Sequence, residues 1–322
     1  MMNRVELRKK KQRKKLWRRI FMILGIILIT SLSYGGYVFY ESYQAASKTY
    51  DDLGRDKSKL REDKVSISQD PFSVLLMGVE SYSSGGGDTG RSDTLMLATF
   101  NPEQKNMKLM SIPRDTRVEI AERNTVEKIN HAYAYGGKKM TIETVENFLD
   151  IPVDYYATVN FDGFKNIVDV LGGIDVNVPF DFQQNSDDRI AEKLQFYEGP
   201  MELNGRYALA YARMRLEDPK GDLGRVERQK EVVTAVIDKV TSASTVFKID
   251  DLANELGNNI ETNMKISDAL KLYKKYPNFS TSKIEQITLE GTPQYIDGVS
   301  YYIVDEQSLS NVKQQLKEHL DI

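Results

Sequence analysis

SVLLMGVESYSSGGGDTGRSDTLMLATFNPEQKNMKLMSI, residues 73–112, holds three apolar runs of strand length: 73–79, 94–100 and 107–112. In each run apolar residues follow one another instead of alternating, the pattern of a strand covered on both faces and set centrally in a sheet. Downstream the period changes. Ile142, Val145, Phe148 and Leu149 share one face of a helix over 139–150, and Phe161, Phe164, Ile167, Val168 and Leu171 share a face that ends at Gly172-Gly173. Short strands at 155–160 and 174–178 flank the second of these helices. Further helices are expected over 204–213, 225–242, 249–257, 266–275 and 306–320, with β-rich stretches near 283–289 and 299–304. Strands interleaved with helices predict an α/β layered domain. It is expected to span 71–244, with 245–322 as an extension packed on it.

Upstream the composition shifts. Residues 41–70 are polar and charge-mixed and read as a stalk. Residues 20–40 carry no charge, and as a helix these 21 residues cover about 31 Å, a bilayer core. Residues 1–19 hold ten Lys/Arg and one Glu, a charge of +9 that leaves −12 for the rest of a chain totalling −3. The positive-inside rule places this basic tail in the cytoplasm and everything after residue 40 outside, a single-pass anchor with Tyr34, Tyr37 and Tyr40 at its outer interface. A cleaved signal peptide is the rival reading; its apolar core is shorter, and Tyr43-Gln44-Ala45-Ala46-Ser47 is a poor cleavage site.

The residue inventory narrows the chemistry. The chain has no cysteine and two histidines, His131 and His319, which excludes disulfides, thiolate zinc sites and a cysteine nucleophile. Gly85-x-Gly87-x-x-Gly90 matches a dinucleotide fingerprint in letters only, since the next element reads as a strand where the fingerprint needs a helix. Glu80 and Asp93 stand at the edges of two apolar runs. Two carboxylates there suit a hard cation such as Mg²⁺, and equally suit caps or turns. Arg114, in Ser111-Ile112-Pro113-Arg114-Asp115-Thr116, emerges where Pro113 ends a strand. His131 is read as a packed, hydrogen-bonded histidine in preference to a proton carrier, and the apolar stripe of 161–171 serves as core or as the wall of a lipid slot.

Residues 205–230 contain five arginines and two lysines. In a helix starting near Leu223, Arg225, Arg228 and Gln229 share a face at i, i+3 and i+4. A helix N-terminus favours anions, and guanidinium forks grip phosphate oxygens bidentately as lysine does not. Phosphate recognition is therefore favoured over the plainer alternative, an exposed helix salt-bridged through Glu217, Asp218, Asp222 and Glu227.

Taken together, LLMGVE, GRSDTLMLATFNP, MSIPRDT, KINHAYAYGG, VENFLDIPVDYY, VDVLGGIDVNV and LNGRYALAYARMRLEDPKGDLGRVERQ, in order over about 75–230, resemble the LytR–CpsA–Psr family of bacterial cell-wall proteins. The resemblance implies an α-β-α layered domain with a central mixed sheet and an apolar tunnel for a polyprenyl tail. It implies Mg²⁺ or Mn²⁺ near a pyrophosphate, and no nucleotide. Asp93 matches the family's metal-associated aspartate, Arg114 the head-group arginine, and Arg213, Arg215, Arg225 and Gln229 the pyrophosphate-binding positions, with Arg91 and Arg228 as seconds. Glu80 stands where such relatives carry Asp, so it is the weaker second ligand, with Asp88 as the alternative.

The activity implied is a metal-dependent phosphotransferase on the outer face of a Gram-positive-type membrane. It would move an anionic glycan, foremost wall teichoic acid, from a polyprenyl-pyrophosphate carrier to N-acetylmuramic acid of peptidoglycan. The same residues would serve a polyprenyl-pyrophosphate hydrolase. A membrane-bound regulator of wall genes is a third reading, but a cytoplasmic part of 19 residues is too short to fold as a DNA reader.

Overall fold

The computed structural model describes residues 50–79, 90–186, 192–242, 259–276 and 279–322. The basic tail, the anchor at 20–40, Glu80, Asp88 and the helix expected over 249–257 lie outside the described residues. Among the described residues no helix is long and apolar enough to cross a membrane.

The sequence runs that are apolar on both faces form the middle of a six-stranded mixed sheet. β1 (Phe72–Val79) and β2 (Ser92–Asn101) pair antiparallel, β2 pairs antiparallel with β3 (Asn106–Ser111), and β6 (Tyr155–Asn160) runs parallel to β1. The two outer places are taken by β11 (Ile260–Thr262), antiparallel to β6, and β12 (Ile284–Ile287), parallel to β3. Helices cover both faces. Leu75, Met77, Leu95, Leu97 and Met110 pack with Ile142, Val145 and Leu149 of α1 (His131–Leu149) and with Val312, Leu316 and Leu320 of α6 (Glu306–Leu320). On the other face Met96, Ala98 and Leu109 meet Val233 of α4 (Asp222–Thr241). Each such fully buried aliphatic side chain contributes about 1.5–3 kcal/mol, which makes this double-sided apolar pattern the main determinant of the layering.

A second core is built beside α4. α2 (Phe161–Leu171) and α3 (Gly205–Arg213) pack against the pairs β7 (Ile174–Val178)–β10 (Gly199–Leu203) and β8 (Phe182–Asn185)–β9 (Lys193–Phe196) around Phe182, Phe196 and Tyr211. The hairpin of β4 (Arg117–Ile120) with β5 (Thr125–Lys128) leads into α1, which kinks at Gly136-Gly137. There Gly137 (φ 59°, ψ −152°) takes a conformation open to glycine alone. α5 (Ile266–Lys275) and the hairpin β13 (Gly291–Ile296)–β14 (Val299–Val304) complete the described elements.

Two expectations about organisation change. The C-terminal segment, read as an extension packed on the core, supplies both edge strands of the central sheet, because an unpaired edge leaves a row of open N–H and C=O groups. Residues 50–70, read as part of a stalk, are strapped to the domain. Arg61 grips Asp154 through two nitrogens at 3.0 and 2.8 Å, Arg55 pairs with Glu146 at 3.2 Å, and Ser58 Oγ donates to Glu146 at 2.6 Å. Tyr156 donates its hydroxyl to the Asp51 carbonyl at 2.8 Å.

Candidate functional site

The site forms where four strands end together. β1 and β6 run parallel and finish side by side, Val79 opposite Asn160, while β2 enters and β3 leaves at the same end of the sheet. A bulge in the β1–β2 ladder pairs Gly78 with Thr94 and Val79 with Ser92, leaving Asp93 without a partner across the ladder. Bulges of this kind turn a side chain out of the ladder. Asp93 Oδ1 meets Arg114 Nη1 at 2.5 Å. Arg114 leaves β3 through Pro113, in a turn closed by the Thr116 N–H donating to the Pro113 carbonyl at 2.9 Å.

Arg225 arrives from the opposite side, in the first turn of α4. It is 7% exposed and pairs with Asp222 Oδ1 at 2.8 Å, which Arg215 Nε approaches to 3.6 Å. Burial chiefly lowers the Arg225 pKa; Asp222 opposes this, and the charge of Arg114 adds to it. Burial also acts downward on Arg114, but the Asp93 hydrogen bond with the charges of Asp93, Asp115 and Asp222 outweighs it and raises the pKa. Among the described residues Arg114, Arg215, Arg225 and Lys128 thus sit with Asp93, Asp222 and Asp115, a surplus of one positive charge. Arg114 Nε and Arg225 Nε are buried donors without an acceptor. A buried donor left open costs about 1–3 kcal/mol, a cost that acceptor oxygens of a ligand would offset; Asp222 Oδ1 is likewise buried without a hydrogen bond. The N–H groups of Asp222, Leu223 and Gly224, which precede the first intrahelical bond of α4, favour negative charge.

The expected site residues separate. Asp93, Arg114, Arg215 and Arg225 come together. Arg213, at the end of α3, lies over the Phe161 ring at 4.8 Å, where α2 follows β6 at the same end of the sheet. Arg91 is exposed, two residues from Asp93. Arg228 and Gln229 are placed elsewhere. Both share the buried face of α4 as their spacing requires, but that face abuts the end of α3. Arg228 is 3% exposed and fully engaged: Nε donates to the Tyr211 carbonyl at 3.1 Å, Nη2 to the Met214 carbonyl, and Nη1 pairs with Asp218. Gln229 Nε2 reaches the Ala212 carbonyl at 3.5 Å. These side chains close the C-terminal carbonyls of α3. The packing also explains Gly224, since a Cβ there would fall on the Asp218 carboxylate.

His131 is held by Glu127 at 2.9 Å, in keeping with the packed, hydrogen-bonded reading. Sequence reasoning missed Ser92, Lys128 and Asn130. Ser92 Oγ is buried without a partner beside Asp93, and Lys128 pairs with Asp115 at 2.9 Å. Asn130 immediately precedes α1, and its side chain makes no capping bond there. Its N–H donates to the Arg114 carbonyl at 3.3 Å, and its buried Oδ1 is open.

Among the described residues no three His, Asp or Glu side chains gather as a metal cage. Asp93 and Asp222 are the carboxylates at the cluster. Mg²⁺ is commonly held by one or two carboxylates together with phosphate oxygens, and this donor set fits a cation held in that way.

Comparisons with known proteins agree with this geometry. The profile of the LytR_cpsA_psr family matches residues 36–318. The chain is 45% identical over 313 residues to the polyisoprenyl-teichoic acid–peptidoglycan teichoic acid transferase TagV of Bacillus subtilis, covering 96% of this chain and 80% of that protein. The crystal structure of B. subtilis TagV matches with a TM-score of 0.71 at 47% identity, over 79% of this chain and 98% of that one. The LytR-CPS2A-psr family protein YwtF (TagT) with bound octaprenyl pyrophosphate lipid matches with a TM-score of 0.65 at 34% identity, over 83% and 98%.

Proposed function

Because the chain belongs to the LytR–CpsA–Psr family, we propose that it transfers an anionic glycan polymer, wall teichoic acid foremost, from a polyprenyl-pyrophosphate carrier to peptidoglycan. The observation that carries this reading is the pair of buried, open Nε donors of Arg114, which meets Asp93, and Arg225, which meets Asp222. A relative of the same fold has octaprenyl pyrophosphate lipid bound, the chemistry such a cluster is suited to hold.

Phosphoryl transfer asks mainly for positioning and neutralisation of charge. Arg114, Arg215 and Arg225 bind the diphosphate from two sides, and Arg213 extends the grip from the β6 side of the sheet end. The acceptor hydroxyl, at C6 of N-acetylmuramic acid in this reading, attacks the phosphorus nearest the glycan. The bond from that phosphorus to the bridging oxygen breaks, and polyprenyl phosphate leaves with the charge spread over the guanidinium groups. Where Asp93 Oδ2 is not committed to a cation it takes the hydroxyl proton, while Oδ1 stays with Arg114. Asp93, with the diphosphate oxygens, would hold Mg²⁺ or Mn²⁺, which supplies further neutralisation when bound. Residues 20–40 anchor the chain with the domain outside, and the polyprenyl tail lies in an apolar tunnel of the domain.

The test is a reconstituted reaction with a synthetic polyprenyl-pyrophosphate glycan. The full chain should release polyprenyl phosphate and attach the phosphorylated glycan to peptidoglycan fragments. Release of free phosphorylated glycan at the same rate with and without acceptor would make the protein a hydrolase, and no release in either case would overturn the reading.

A further inference from the structure

Beyond the diphosphate cluster lies a second group of charged and aromatic side chains that the transfer chemistry does not use. Arg123, in the turn between β4 and β5, lies over the Tyr135 ring with its guanidinium carbon 3.9 Å from the ring centroid. Tyr135, in the first turns of α1, is 42% exposed. Its hydroxyl donates to Glu127 at 2.6 Å, and His131 meets both its ring edge-on and the same carboxylate. The ring is therefore fixed in place while open to solvent. The Tyr135 and His131 hydrogen bonds hold the Glu127 carboxyl down at about 2, so it stays ionised and committed to these two partners. Arg123 is exposed and forms no ion pair among the described residues.

The group adjoins the reaction site without merging with it. Lys128, next to Glu127, pairs with Asp115, which follows Arg114, and Asn130 donates to the Arg114 carbonyl. A guanidinium stacked on an aromatic ring has one face covered and its edge N–H groups free for an oxyanion. An exposed, fixed aromatic ring beside such an edge is a surface on which the C–H face of a sugar packs.

We infer that Arg123 and Tyr135 form a subsite for an anionic saccharide, next to the diphosphate cluster. The inference rests on the transferase reading for its choice of ligand. Two substrates of that reaction carry this chemistry: the phosphate-bearing glycan of the donor, and the acceptor strand with its peptide carboxylates.

Calorimetric titration of the full chain in detergent tests it with two soluble probes. One is a disaccharide bearing a glycerol phosphate, and the other is a disaccharide of N-acetylglucosamine and peptide-bearing N-acetylmuramic acid. At least one should bind saturably, with inorganic pyrophosphate present at saturation. R123A and Y135A should each weaken that binding about tenfold or more, while Y135F, which keeps the ring, retains it. If R123A or Y135A misfolds by thermal melting, R123Q must show the loss. The probe that binds identifies the source, donor polymer or acceptor. The subsite is overturned if neither probe binds, if pyrophosphate displaces the bound probe, or if the folded Arg123 and Tyr135 variants bind as the wild type does. A transferase reading that fails shows itself separately, as no release of polyprenyl phosphate by the wild type.

Discussion

Arg225 and Arg228 are one helical turn apart on α4, both nearly inaccessible, and they have opposite environments. Arg228 has all three nitrogens engaged by protein acceptors, whereas Arg225 keeps an open Nε and shares its one carboxylate with Arg215. Their substitutions should therefore fail differently. R225A and R114A are expected to lower kcat/KM by about 100- to 1,000-fold, the range for losing a donor aimed at developing charge, with little change in urea-denaturation midpoint. R228A is expected to cost about 3–5 kcal/mol of stability, because Asp218 is left buried and unpaired. Equal loss of activity at unchanged stability in R228A would return that residue to the site. D93N should lower kcat while the diphosphate still binds, since it removes the proton acceptor and keeps the shape.

At the scale of elements, the strap of residues 50–62 turns what reads as a tether into part of the domain. Its clasps are buried on the domain side: Asp154 also accepts from the Ser73 N–H at 3.0 Å, and Glu146 from the Val153 N–H at 3.0 Å. R61A should destabilise the protein by about 3 kcal/mol and open the strap. Limited proteolysis would then cut within residues 50–62 well before the body of the domain, and a strap as resistant as wild type would refute its attachment through Arg61. The edge strands carry a related lesson. β11, with three residues, is too short for periodicity to register, whereas β12 falls in the β-rich stretch expected near 283–289; together they close the sheet on both sides. A chain ending at residue 258 should aggregate when concentrated, measured by light scattering, because β6 and β3 would each present an open edge.

For the whole molecule, the docking of α6 sets a dependence on pH. His319 is 2% exposed, with Nδ1 against Thr99 Oγ1 at 2.7 Å and Nε2 against Asn106 Oδ1 at 2.9 Å. Burial first, and the charge of Lys108 on β3 second, push its pKa down to about 4; Glu285 on β12 and Asp321 pull weakly the other way. A histidine depressed on folding stabilises above its unfolded pKa, about 6.5, and loses that contribution as pH falls towards the folded value. Stability should therefore drop by roughly 3 kcal/mol between pH 6.5 and 4. Thermal melts over this interval should show the drop in wild type and a flatter profile in H319N. An equal slope in both would assign the effect to other groups.

Residue pattern alone determined that the chain is an α/β layered protein and that strands 73–79, 94–100 and 107–112 are central, and it favours phosphate for the arginine-rich stretch 205–230. These properties are local: the period of apolar positions reports how many faces are covered, and side-chain type reports which ligand atoms can be met. Tertiary structure alone decided which arginines remain open, that Asp93 leaves the ladder at a bulge, that Asn130 does not cap its helix, and that the described residues on both sides of 71–244 pack into the domain. Those outcomes depend on acceptors supplied from far along the chain, such as the α3 carbonyls that meet Arg228. A hydrogen-bond partner more than a few residues away leaves no mark on local periodicity.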